Sequence, residues 1–401
     1  MKKTIIILVV ILLLMAGCGG GKQSTDDLIF VDVLKSYPKK ELILQDFMDV
    51  EYIALETNDE FVNQGWVQDI GKEIILVKNR ITDGDIFVYD RSGKALRKIN
   101  RKGQGPGEYI YASQVILDEN KEEIFVSDMM TRKIFVYDLH GEFKRSFNQK
   151  EAEWREDNTG AFPYADPRAF PYLFLFNYDR DNLICYDPHH EERAFVLISK
   201  QDGSIIREIK TPFKEKKYLH QIPANDPFGM VSPGGGDNPL IPYNGNWILA
   251  EPSSDTVYMF LPDYSLRPYI VRTPSIQSMD PEVFLLLRHF SDRYYFMETI
   301  RNEYNFNTRS GFPQTFMMYD TREKAFFGYN VYNGDYSTKK EIYMNVGRPV
   351  NHEIALWYPL ETFQLVEDYK KGVLKDGKLK EIAATLDAED NRVIMLIKHK
   401  K

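Results

Sequence analysis

The sequence predicts an all-β protein, a closed six-bladed β-propeller, from three observations. One hairpin-like unit recurs along the chain, helical periodicity is scarce, and the two chain ends carry incomplete but complementary strand material. The 401 residues hold 51 Lys+Arg against 59 Asp+Glu, with 43% hydrophobic and 27% charged residues, which is globular rather than disordered composition. The formal net charge of −8 and the lack of a Lys/Arg stripe argue against nucleic acid, whose phosphates need a basic surface. Cys18 and Cys185 are the only cysteines, which excludes a disulfide scaffold and multi-cysteine zinc sites.

The chain opens with Lys2 and Lys3, followed by an apolar run from Ile5 to Met15 and then Ala16-Gly17-Cys18. That run is shorter than the ~20 residues a spanning helix needs, so it reads as a secretory signal over residues 1–17. Ala16-Gly17-Cys18 resembles a bacterial lipobox, with Met15 where that pattern prefers Leu. The resemblance implies acylation of Cys18 and a membrane-attached lipoprotein in the cell envelope, in the outer membrane and facing the periplasm or the surface. Residues 18–27, small and polar, suit a flexible tether, and the propeller is expected over 28–401.

The repeat unit is clearest at Ile86 to Asp90 (IFVYD), which is followed by a Gly93 turn and a return run to Ile99. It recurs at Ile134 to Asp138 (IFVYD), with Gly141 and a return run to Phe147. β-branched and aromatic residues, a polar Asp/Gly turn and a second alternating run make a hairpin signature. Weaker copies follow at Phe195, Val257 and Phe316, and Val393 to Ile397 stands without a returning strand. Their spacing leaves room for one blade of about 40–50 residues per copy, plus loop insertions.

Three N-terminal segments, Leu28 to Val31, Glu41 to Leu44 and Val50 to Leu55, also read as strands. They are expected to complete the blade begun near Val393 and so remove its exposed edges. Two tandem β-sandwiches would explain neither the repeat nor the incomplete ends. Asp280-Pro281, leading into Glu282 to Phe290, predicts a short capped helix. Residues 154–171 and 222–246 read as long loops.

Between the first two hairpins lies Arg101 to Tyr109 (RKGQGPGEY), followed by Val115 to Asp118, Ile124 to Asp128 and Lys133 to Asp138. That order, with the opening Val50 to Thr57, resembles the six-bladed NHL-like propeller lipoproteins of Bacteroidota. Most of these have no established activity, so the resemblance speaks to fold more than to function.

Gly103-x-Gly105-x-Gly107 precedes strands rather than a helix, so it reads as a tight inter-blade loop whose glycines take positive φ, not as a nucleotide cradle. Asp83-Gly84-Asp85 is a turn signal before it is a calcium site, and His189-His190-Glu191-Glu192 reads as a solvated turn. There is no Gly-x-Ser-x-Gly elbow or His-Glu-x-x-His motif, so no catalytic residue or resident metal is assigned and no cofactor is required.

The binding candidates are Glu108, Tyr109, Asp128 and Arg132 in the best-matching blade. Asp237, Tyr243 and Trp247 are added from the long insertion, where acceptors and stacking surfaces suit a polar ligand. The expected function is a binding or scaffolding module for a glycan, peptide or protein, displayed on one propeller face. The rival reading is a metal-assisted propeller enzyme, either a lyase or a lactonase-like hydrolase.

Overall fold

The computed structural model describes residues 28–79, 83–149, 172–188, 190, 193–223, 229–233 and 238–400. Its sheets form six blades in sequence order. Blade 1 runs Trp66–Ile70, Ile74–Lys78, Asp85–Asp90 and Ala95–Asn100 from the axis outward; blade 2 runs Ala112–Asp118, Glu123–Asp128, Lys133–Asp138 and Phe143–Asn148. Blade 3 contains Phe174–Asn177, Asn182–Tyr186, Phe195–Ser199 and Ile205–Ile209; blade 4 contains Leu240–Tyr243, Asn246–Leu249, Thr256–Phe260 and Leu266–Thr273. Blade 5 contains Val283–Phe290, Tyr294–Arg301, Gln314–Asp320 and Ala325–Tyr332. Blade 6 is composite, with Ile354–Leu360, then Val393–His399, then Met48–Ala54 from the N-terminal region.

The repeated hairpin has a local cause. Asp90 Oδ1 accepts the backbone N–H groups of Ser92 and Lys94 at 2.8 and 3.0 Å, and Asp138 Oδ1 does the same for His140 and Glu142. Gly93 and Gly141 then take φ of +89° and +86°, which closes the turn. A side chain would fit badly there in any case. A Cβ on Gly93 would lie 2.0 Å from the Ala54 carbonyl, and one on Gly141 would lie 2.7 Å from Ile99 of the preceding blade.

The core is divided among the seams between blades. Tyr109, Val126 and Tyr137 of blade 2 pack on Leu76 and Val88 of blade 1, and equivalent clusters fill each following seam. A strand between two seams must therefore be apolar on both faces. Val393 to Ile397 shows this: Val393, Met395 and Ile397 face blade 5, Ile394 and Leu396 face blade 1, and all are fully buried.

The same rule corrects the expected helix. Val283–Phe290 is a strand paired to Tyr294–Arg301, and every residue in it is buried. A run that is apolar on both faces lacks alternation and so resembles a buried helix in sequence. Short helical turns form at Leu44–Phe47 and Ile276–Ser278, and two longer helices, Thr362–Lys370 and Lys378–Ala383, lie in the connection between Ile354–Leu360 and Val393–His399.

The expected closure is present, but only one of the three N-terminal segments performs it. Met48–Ala54 pairs antiparallel with Val393–His399, whereas Ile29–Asp32 adds parallel to Leu266–Thr273 and Lys39–Ile43 adds parallel to Ala325–Tyr332. The outer edges of blades 4 and 5 offer unpaired backbone groups, and a fifth strand satisfies them.

Candidate functional site

Antiparallel strands alternate in direction, so the inter-blade loops and the loops between each second and third strand share one face, here called upper. Exposed large apolar side chains gather there: Val62, Trp66, Ile110, Met130, Tyr218, Ile222, Met230 and Phe306. Among the described residues, the lower loops contribute Tyr264.

The innermost strands are stitched to one another around the ring, mostly at the ends that lead into the lower loops. Asn351 Nδ2 donates to the Ile70 carbonyl at 2.9 Å, joining blades 6 and 1, and the Leu117 N–H donates to Asp69 Oδ2 at 2.8 Å, joining blades 1 and 2. Burial pushes the Asp69 carboxyl up to about 7 against the N–H groups of Leu117 and Ile70 that it accepts. Gln114 bridges to the Leu173 carbonyl and the Leu175 N–H of blade 3, and Tyr243 OH donates to the Ser291 carbonyl between blades 4 and 5.

The axis itself is crossed by protein. Inside Ile354–Leu360, residues 343–353 run back without regular strand pairing. From this segment the Arg348 guanidinium lies 4.9 Å from the ring centre of Phe174 in blade 3, and the His352 ring lies 5.4 Å from Trp247 in blade 4. Lys78 of blade 1 is buried within electrostatic reach of Arg348, with Nζ donating to the Ala112 and Ser113 carbonyls at 2.6 and 3.2 Å. Burial first, and Arg348 second, draw its amine down to about 8. His289, His352 and His399 are all held below the ordinary imidazole value by burial; His289, next to Arg288, falls to about 3. Trp66, 51% exposed, stands at the axial start of blade 1.

The insertion between blades 3 and 4 is anchored at its base and reaches across the upper face. Lys216 pairs with buried Glu251 at 2.9 Å, and the Lys217 N–H donates to Ser253 Oγ. Further along, Asn302 of blade 5 donates to the Tyr218 carbonyl and its own carbonyl accepts from Gln221 Nε2. Leu219 and Val231 pack onto Phe284, Leu286, Ile300 and Phe312, a small core on top of blade 5. The reciprocal bridge between Gln221 and Val231 sets Ile222 and Met230, both exposed, side by side.

The residues singled out from the sequence are placed differently from one another. Tyr109 is fully buried, donating to the Gly84 carbonyl at 2.6 Å, and burial pushes its phenol up to about 12. Tyr243 packs in the seam between blades 4 and 5, and Trp247 packs between blades 3 and 4. Asp128 is buried, its oxygens accepting the backbone N–H groups of Ile110, Tyr111, Met130 and Thr131. Arg132 is half-buried in that same turn at φ +57°.

Glu108 is exposed, and its carboxylate folds back to accept the Gly105 N–H at 2.8 Å. The glycines of that loop serve close approach rather than positive φ: a Cβ on Gly103 would fall 1.9 Å from Glu108 Oε2, and one on Gly107 would fall 2.8 Å from the Phe143 ring. Asp83-Gly84-Asp85 is a turn, with Asp83 Oδ1 accepting the Asp85 N–H. Asp237, His189, Glu191, Glu192 and Cys18 lie outside the described residues.

Sequence reasoning passed over Ile222, Met230, Met130 and Trp66. Isolated apolar residues in loops were the available signal, but only the fold shows that these loops share a face.

A sequence-family profile described as "Domain of unknown function (DUF4934)" matches residues 28–398. Among solved structures, the chain is similar to a Bacteroides fragilis NCTC 9343 protein whose description calls it exported. That match has 17% identity and a TM-score of 0.55, and covers 93% of this chain and 100% of that one. It is also similar to a Bacteroides vulgatus ATCC 8482 member of the DUF4221 family, at 11% identity and TM-score 0.47, covering 88% and 99%. No curated protein matches this sequence.

Proposed function

We propose, from the premise that this chain belongs to the DUF4934 family, that it is a lipid-anchored envelope protein whose propeller binds a ligand on its upper face. The observation that carries this reading is the one-sided distribution of exposed apolar side chains, with Ile222 and Met230 presented by an insertion braced on blade 5. Exposed apolar surface of this kind marks an interaction site more often than an idle surface. The ligand class is a glycan, a peptide or a partner protein, for which apolar platforms interleaved with backbone and amide groups suit a partly polar chain. The exported description of the Bacteroides fragilis neighbour and the basic–apolar–Ala-Gly-Cys start of this chain support a place outside the cytoplasm, held through Cys18.

The test is hydrogen exchange over residues 217–223 and 229–233 with candidate oligosaccharides and peptides. Binding should slow exchange there and around Met130, and the double substitution Ile222→Asp, Met230→Asp should abolish binding without moving the melting temperature. A ligand that binds while only lower-face loops gain protection would overturn the assignment. Anchoring is tested separately: Cys18→Ala should leave the protein unlabelled by radioactive fatty acid and free of the membrane fraction.

A further inference from the structure

We infer that the outer rim of blade 4, at Phe30 and Leu34, rests on the lipid surface to which Cys18 ties the chain, so that the propeller stands edge-on to the bilayer. This rests on the proposed acylation of Cys18. The register of Ile29–Asp32 turns Ile29 and Val31 into the seam between blades 4 and 5 and leaves Phe30 pointing outward. An outward position on an outermost strand is normally polar, yet Phe30 is 61% exposed and Leu34, in the turn that follows, is 60% exposed. Asp32, between them, is occupied locally, its Oδ1 accepting the Leu34 N–H at 3.0 Å. Lys35 and Lys39 come next, both exposed. Large apolar side chains flanked by lysines are the composition that settles into the headgroup region of a bilayer containing anionic lipid.

The reach of the anchor decides which surface can meet that lipid. From Cys18 to Leu28 is a step of ten residues. Fully extended, such a stretch spans at most about 33–36 Å. A domain of this length has a radius of gyration of about 21 Å and so measures roughly 50 Å across. The rim of blade 4 is therefore held near the bilayer, and the rim of blade 1, diametrically opposite in a six-bladed ring, is kept away from it. An edge-on stance leaves the upper face, with Ile222 and Met230, open to the side.

The experiment uses the full chain, acylated in cells and reconstituted into vesicles of phosphatidylethanolamine and phosphatidylglycerol. An environment-sensitive dye is placed at Leu34→Cys, at Phe30→Cys as a second rim position, or at Leu96→Cys on the exposed outer strand of blade 1; Cys185 is fully buried and stays unlabelled. The expected result is a several-fold rise in emission with a blue shift at residues 30 and 34, quenched by spin-labelled lipid, and no change at residue 96. Equal emission at all three positions, with fatty acid present on Cys18, would overturn the rim contact and leave the anchor standing. Absence of fatty acid on Cys18 would remove the anchor and this inference with it.

Discussion

Blades 1 to 3 and blades 4 to 6 reach the same architecture by different means. In the first half each blade is a continuous stretch of chain whose hairpins close on themselves. In the second half the outer edges of blades 4 and 5 carry strands from residues 29–43, and blade 6 takes its outer strand from a segment whose Ala54 pairs with Val393. A slot in a sheet is defined by the neighbouring edge and the two flanking seams, so it accepts a strand from anywhere in the chain. Closure entropy grows only slowly with separation, which makes such distant pairing affordable in stability.

The largest effect should come from the slot that depends most on distant pairing. Truncation before Arg392 removes Val393–His399, the strand between Ile354–Leu360 and Met48–Ala54, and should abolish cooperative thermal unfolding. By contrast, Ile206→Ser on the exposed outer strand of blade 3 should stay within about 0.5 kcal/mol of wild type. An unmoved midpoint after the truncation would break the comparison at its root.

Next in size are the buried ion pairs. Arg288 and Glu298 pair inside blade 5 with side chains 1% exposed, so Glu298→Ala should cost about 3–5 kcal/mol in chemical denaturation. Lys200 binds Asp118 across the seam of blades 2 and 3 at 2.7 Å, but its amine also has Asn177 Oδ1 and the Asp179 carbonyl as acceptors. Asp118→Asn should therefore cost less than Glu298→Ala, and the reverse order would show that the seam matters more than the blade interior.

Smaller again is a pair of turn glycines. Gly141→Ala combines a positive φ with contact against Ile99 at 2.7 Å, and should cost about 2–4 kcal/mol. Gly245, at φ +73°, has nothing within 4 Å of the added Cβ, so Gly245→Ala should cost only about 1 kcal/mol of backbone strain. Equal costs would mean that the turns do not lean on the preceding blade.

Acid should separate the halves most gently. His289 is neutral in the fold because burial, then Arg288, lowers it to about 3, so its contribution is complete above the unfolded value near 6.5 and falls away below it. Glu123 of blade 2, despite burial, is held down to about 2 by Arg145 and Lys144; its contribution is complete until pH falls to the ordinary carboxylate range and is lost progressively from there downward. Between roughly pH 6 and pH 5, amide protection around Val283–Phe290 should weaken before that of Glu123–Asp128. Simultaneous loss would show that the ring opens as one unit.

What the sequence determined by itself is what short-range chemistry controls. Asp90, Gly93, Asp138 and Gly141 specify tight turns, the apolar runs beside them specify strands, and six such runs specify the number of blades. The incomplete run at Val393 even announced that a strand must arrive from elsewhere. The tertiary structure alone decided which edge each N-terminal strand takes, that Val283–Phe290 is a strand, and that residues 343–353 cross the axis to meet Phe174 and Trp247. It also decided that Tyr109, Tyr243 and Trp247 are packing while Ile222 and Met230 are presented. The reason is physical: an aromatic ring buries the same area against a neighbouring blade as against a ligand, and only the assembled seams show which surface is already covered.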